Sequence, residues 1–178
     1  MSSGLWKGIG VVLVVIVAGF VAQKLFGDKT TTGTVRVPAP VATIGSGEDA
    51  VAVTAGGAVV RWWPLEDEPA LPRLPLSEPP RGGHLAGPML QQARVLGAAP
   101  PALRPYLASS YYGESGVDVE TSSGIELRFG DASLAEQKWK AAAAILADPE
   151  ITALDYVDLQ APRRPSYGGS GHTLPPAP

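Results

Sequence analysis

The chain has 178 residues, a formal net charge of -3 and no cysteine. This length allows one domain of ordinary size with appendages, and the weak negative charge gives no electrostatic reason to expect nucleic-acid binding. The absence of cysteine excludes disulfides, thiolate catalysis and sulfur-ligated zinc. With 21 glycines and 18 prolines, part of the chain is expected to be linker or tail.

The first 40 residues predict a membrane anchor followed by a tether. Residues 8–23 carry no charge, and with their apolar neighbours they reach about 20 residues, which is enough to span a bilayer core. We therefore predict a short N-terminus at 1–7, a transmembrane helix at 8–26 and a polar tether at 27–40. A cleaved signal peptide is the alternative, but no small residues stand at the spacing that cleavage needs. The anchor residues are Gly8, Val12, Val15, Gly19 and Ala22.

Short strands and one helix are predicted between residues 41 and 120. Gly56 and Gly57 favour a hairpin turn between two valine-rich strands. We expect at least one of Trp62 and Trp63 to lie in the core, because a small sheet needs that apolar area. The prolines of 64–83 favour an extended segment. Residues 84–98 have helical periodicity, and 117–120 alternate as a strand does.

Residues 124–165 predict a strand, a helix and a second strand. Apolar and polar residues alternate from Ile125 to Phe129, as expected of a strand with one buried face. Ser133 and Glu136 have the spacing of a capping box, which predicts the start of a helix. The second strand is expected at 154–160. The predicted apolar stripe of the helix consists of Ala135, Trp139, Ala142 and Leu146.

The alternation in this second strand is irregular. A bulge near Asp155 or Tyr156 would bury Leu154, Val157 and Leu159 together and leave Tyr156 toward solvent. Residues 166–178 are rich in glycine, serine and proline, which predicts a disordered tail. With no later strand expected, the strand at 154–160 would lie at an open sheet edge, where a partner can add a strand. The alternative is an edge that the following proline and arginines merely protect.

The order of these elements resembles the C-terminal part of the FtsQ/DivIB family of single-pass bacterial cell-division proteins. A strand closes on a Gly-Asp step, a helix carries a lysine, and a last strand ends in D-Y-V-D-L. The chain departs from the family at Gln160, where an arginine is usual, and it has no room for the usual POTRA domain. The matching residues are Leu127, Gly130, Lys138, Leu154, Asp155, Tyr156, Val157, Asp158 and Leu159.

The resemblance implies a non-catalytic scaffold of the division septum. Its N-terminus would be cytoplasmic and its domain at 41–165 extracytoplasmic, with the N-terminal helix in contact with membrane lipid. The fold class expected is α+β, with a single transmembrane helix followed by one antiparallel-rich β domain with packed helices. The partners would be small coiled-coil division proteins of the FtsB and FtsL (DivIC) type. Their predicted binding residues are Tyr156, Val157, Asp158, Leu159, Gln160, Arg163 and Arg164.

No sequence motif indicates catalysis, a cofactor or a metal site. The chain lacks H-E-x-x-H, G-x-S-x-G and Walker sequences, and His84 has no partner in the sequence. Two other classes of function stay open. One is an anchored cell-envelope protein that binds wall polymer through Trp62 and Trp63, and the other is a membrane-tethered hydrolase.

Overall fold

The computed structural model describes residues 38–65 and 71–174. Neither helix in this part of the chain is long and apolar enough to cross a membrane. The predicted transmembrane helix lies outside the described residues, together with its anchor positions Gly8, Val12, Val15, Gly19 and Ala22.

A small antiparallel sheet forms first along the chain. The hairpin between its second and third strands confirms the turn predicted at Gly56 and Gly57, and the amide of Gly57 donates to the carbonyl of Thr54 at 2.8 Å. The three strands lie in sequence order. They are β1 (Pro40–Ile44), β2 (Val51–Thr54) and β3 (Val59–Val60).

A second sheet has five strands, also in sequence order. All neighbouring strands are antiparallel except the third and fourth, which are parallel and are connected by the second α-helix. The strands are β4 (Leu107–Gly113), β5 (Gly116–Thr121), β6 (Glu126–Gly130), β7 (Ala153–Asp158) and β8 (Ser166–Thr173). The helices are α1 (Gly87–Gly97) and α2 (Ala135–Leu146).

An extended segment at 72–74 joins the two sheets edge to edge. On one side, Leu74 donates its amide to the carbonyl of Thr43 in β1 at 2.9 Å. On the other side, Arg73 donates to the carbonyl of Ala108 in β4 at 3.0 Å. The extended conformation predicted from the prolines is confirmed here, and the segment covers the facing edges of β1 and β4.

The core lies between the sheets and the two helices. Trp139 of α2 is fully buried, and its ring centroid lies 4.8 Å from that of Phe129 in β6. Ala142 is also fully buried, whereas Ala135 and Leu146 are only partly so. The predicted stripe is therefore confirmed, with Trp139 at its centre.

The predicted capping box at the start of α2 is wrong. The amide and hydroxyl of Ser133 both donate to Oδ1 of Asp131, at 3.0 and 2.6 Å. The side chain of Ser133 is thus engaged in a local turn and does not cap the helix. Leu134 stands at the N-cap position with a φ of 53°, and no side chain caps the helix there.

The predicted fold class, an α+β domain with packed helices after a transmembrane helix, is wrong for the part of the chain that the structure describes. The described residues are mostly sheet with two α-helices, and neither can span a membrane. One reason is that 166–173, expected to be disordered, forms β8. Gly169 has a φ of +86°, and a β-carbon there would collide with the carboxylate of Asp155. Glycine thus lets Asp155 lie over β8 and accept the amide of Gly171 at 2.7 Å.

Candidate partner-binding edge

The bulge predicted in β7 is present. The pairing of β7 with β8 shifts register between Leu154 and Tyr156. Leu154 is 1% exposed, and Val157 and Leu159 are fully buried. The irregular alternation in the sequence therefore correctly predicted that Leu154, Val157 and Leu159 are buried together.

The open edge expected at β7 is wrong, because β8 covers it. Val157 lies opposite Tyr167, and Asp158 lies opposite Ser166. Val157 and Leu159 belong to the core, so in this fold their side chains cannot contact a partner. The interpretation of residues 156–163 as a strand-addition edge depended on the absence of any later strand.

The other predicted contact residues are more accessible. Tyr156 is half-buried, and the guanidinium of Arg128 lies 4.3 Å from its ring centroid. Asp158 is also half-buried, and its Oδ1 accepts the amide of Gln160 at 2.9 Å. The side chains of Gln160, Arg163 and Arg164 are exposed in the connection between β7 and β8.

The outer edge of β8 is the open edge in the part of the chain that the structure describes. At the opposite end of the sheets, β3 is covered, since the amide of Val59 donates to Gly83 at 2.9 Å and that of Leu85 donates to Gly57 at 2.7 Å. The facing edges of β1 and β4 are both paired with the segment at 72–74. Within 38–65 and 71–174, β8 is the only terminal strand whose outer edge has no backbone pairing at all.

The surface of β8 is exposed along most of its length. Tyr167 is its largest exposed side chain, with 49% of its area accessible. At the other end of the strand, the ring of His172 lies against Gly124, where a β-carbon would come within 2.6 Å of it. The sequence signal for this strand was weak, because glycine and serine fill most of its positions.

An apolar cavity lies at the C-terminal end of β8. Its volume is about 650 Å³, and none of the described residues that line it is Asp, Glu, Lys, Arg or His. Ser122, Ser123 and Thr173 are among its polar lining residues. The larger lining residues are Leu103, Tyr106, Ile125, Trp139, Leu146 and Leu174.

Lys138, part of the resemblance to the FtsQ/DivIB family, has a structural position. Its buried ammonium donates to the carbonyls of Phe129 and Asp131, at 2.8 and 3.0 Å, and to Oδ1 of Asp131 at 2.9 Å. Hydrogen bonds from Ser133 and from Lys138 lower the pKa of Asp131 to about 2. These hydrogen bonds connect α2 to the end of β6.

Trp62 and Trp63, which follow β3, are not fully buried. Trp62 is 69% exposed and Trp63 is half-buried. Their ring centroids lie 5.9 Å apart with the planes tilted by 36°. Neither belongs to the buried core, and the expectation that at least one of them lies there is therefore wrong.

Within the described ranges, His, Asp and Glu side chains nowhere gather in a group of three or more that could hold a metal ion. His84 is exposed. Protein-family models give no match to this chain, and neither do the curated proteins. The membership in the FtsQ/DivIB family stays a prediction.

Proposed function

We propose that this chain is a non-catalytic scaffold of the bacterial division septum and that it holds a partner by strand addition to the outer edge of β8. The observation that carries the proposal is the position of β8. It is the uncovered end of a row of strands whose other edges are paired. Exposed edges of this kind are templates for an added strand.

The chemistry around β8 favours an extended partner segment that is partly apolar and acidic. Main-chain groups of β8 supply the pairing, and side chains nearby supply selectivity. Tyr167 offers an exposed ring, and the apolar cavity at the C-terminal end of the strand offers a recess for an apolar side chain. Arg163 and Arg164 are exposed just before β8 begins and can pair with acidic residues of the partner.

The resemblance to the FtsQ/DivIB family supports the choice of partner. It favours small coiled-coil division proteins of the FtsB and FtsL (DivIC) type, which the scaffold would link to septal peptidoglycan synthesis. In this proposal the described domain acts on the extracytoplasmic side of the bacterial cell membrane. The site moves from the predicted residues 156–163 to β8 and the connection that leads into it.

Two tyrosine variants of the full chain test the proposal. Tyr167→Ala removes the exposed ring from β8. We expect it to lower the affinity for FtsB- or FtsL-type proteins about thirtyfold, and so to reduce co-purification with them. Tyr112→Ala is the matched control, because Tyr112 is 44% exposed but lies on β4. Equal loss of binding in both variants, or no loss in either, would contradict the assignment to β8.

A wall-polymer-binding envelope protein is the second candidate, and the exposure of Trp62 favours it. Exposed tryptophan rings provide broad stacking surfaces with a polar N–H. Titration of the full chain with soluble peptidoglycan fragments would change tryptophan fluorescence if this candidate is correct, and Trp62→Ala would abolish the change. An unchanged spectrum at saturating fragment concentration would exclude it.

A further inference from the structure

The face of the five-stranded sheet that points away from the helices carries a cluster of acidic side chains. Asp118 and Glu120 of β5 alternate with buried valines, and α1 and α2 pack on the opposite face. Glu126 of β6 and Asp158 of β7 lie on the same side. We call these four carboxylates, together with Arg128, the acidic face. It has a surplus of three negative charges when all five groups are ionised.

Strand pairing places these groups side by side. Asp118 lies opposite Arg128, and Arg128 is the parallel neighbour of Asp158. Glu120 lies opposite Glu126, although like charges in directly opposed positions destabilise a sheet. The arrangement therefore contains an electrostatic cost that the described residues only partly offset.

Three of the four carboxylates have a hydrogen-bond partner. Glu126 accepts from Nε of Arg128 at 2.6 Å, and Glu120 accepts from the hydroxyl of Ser109 at 3.0 Å. Asp158 accepts from the amide of Gln160. These contacts leave Asp118 as the carboxylate that is not satisfied.

Asp118 is 5% exposed, and its buried Oδ1 has no hydrogen-bond partner among the described residues. Its Oδ2 lies beside Gly113, where a β-carbon would come within 2.8 Å of it. Burial, reinforced by the charges of Glu126 and Asp158, raises the pKa of Asp118 to about 6, although Arg128 opposes the shift. A buried, unsatisfied carboxylate destabilises a fold, and such groups are found at binding sites.

We propose that the acidic face binds a basic segment of a partner protein and that a lysine or arginine side chain of this segment pairs with Asp118 and Glu120. Charge complementarity selects this occupant, because Arg128 is the one cation among four carboxylates on this face, its Nε donates to Glu126, and an added ammonium or guanidinium supplies the donor that Asp118 lacks. A metal ion fits less well, since the described acidic side chains do not form a group that could hold one.

The side chains around Asp118 allow such a group to enter. Arg128 has 38% of its side chain exposed, and Tyr111, which lies opposite Asp118 on β4, is half-buried. In this proposal, one of these side chains rotates and gives the partner's cation access to Oδ1. Rotation of Arg128 would break the contact of its Nε with Glu126 and the contact of its guanidinium with the ring of Tyr156.

The charged neighbours of Asp118 also set the pH dependence of binding. Burial and the nearby Glu126 raise the pKa of Tyr111 to about 12, so Tyr111 stays neutral. Glu120, Glu126 and Asp158 provide negative charge, and Arg128 provides the positive charge. Binding of a basic segment should strengthen as the pH rises through about 6, because Asp118 then becomes ionised.

A labelled synthetic peptide with three arginines is the probe, and fluorescence anisotropy with the purified full chain is the measurement. Asp118→Asn and Glu120→Gln are each expected to weaken binding about tenfold. Glu48→Gln, which removes the same charge from the turn before β2, is expected to have no effect. Glu120 is exposed, so this variant tests the face without disturbing the core.

The outcomes separate this proposal from the one on β8. Tyr167→Ala should leave peptide binding unchanged, because Tyr167 is not part of the acidic face. Equal affinity of wild type, Asp118→Asn and Glu120→Gln would overturn the proposal. So would a loss of binding in Glu48→Gln as large as that in Glu120→Gln, because the peptide would then report net charge alone.

Discussion

The indole N–H of Trp139 donates to the main-chain carbonyl of Val95 at 2.7 Å, and both groups are fully buried. This bond connects α2 to α1 across the core. Because the indole nitrogen is satisfied, the large ring can be buried without an unpaired donor. The same ring forms part of the apolar cavity at the end of β8, so the stability of the core and the shape of the recess depend on one residue.

Trp139→Ala should lower the free energy of unfolding by about 3–5 kcal/mol. The variant loses the buried ring and leaves the carbonyl of Val95 without its donor. Trp139→Phe is the control, since it keeps an aromatic ring but not the N–H, and it should cost less. Urea denaturation of the full chain measures both, and equal midpoints for wild type and Trp139→Ala would contradict the packing described.

Lys138→Met should destabilise the fold by about 1.5–3 kcal/mol. The buried ammonium is the donor to the carbonyls of Phe129 and Asp131, and a methionine would fill the space without satisfying them. Lys140 is two residues away and exposed, so Lys140→Met is the matched control and should change the midpoint little. A similar effect of the two variants would show that the contacts of Lys138 at the end of β6 do not stabilise the fold.

Asp118→Asn should raise the thermal midpoint at pH 7.5 and change it little at pH 4. The pKa of Asp118 in the fold, about 6, is above its value in an unfolded chain. The native state therefore holds a proton that the unfolded state has lost between about pH 4 and pH 6, and stability falls as the pH rises through this range. Asparagine removes the charge but keeps the shape. An equal shift at both pH values would exclude ionisation of Asp118 as the cause.

A gain in stability together with a loss of peptide binding in Asp118→Asn would be informative. Groups that serve binding often cost stability in the unbound protein. A merely structural aspartate would show the opposite combination, with lower stability and unchanged binding.

Part of the fold could be predicted from the sequence because its signals are local. Strand β6 and helix α2 each have a clear period of apolar residues, and the bulge in β7 followed from the failure of alternation in that strand. The side of β5 on which Asp118 lies was also clear from alternation. The burial of Asp118 was not clear, because it depends on the pairing of β5 with β4 and β6, which places Tyr111 and Arg128 opposite it.

Strand β8 could not be predicted from local pattern. Its glycines and serines have low strand propensity. The strand forms through contacts with β7, including the hydrogen bond from Gly171 to Asp155. The candidate binding edge was misplaced for the same reason, since missing one strand moves the end of the sheet by one position. The exposure of Trp62 likewise depends on the direction of the chain after β3.

Hydrogen–deuterium exchange of the full chain shows whether a partner adds a strand to β8. The measurement compares amide protection in β8 (Ser166–Thr173) with and without an FtsB- or FtsL-type coiled-coil protein at saturating concentration. Strand addition predicts that the amides facing outward from β8 become protected, whereas β3, already covered by residues 83–85, does not change. A bound partner that leaves exchange in β8 unaltered would contradict the account.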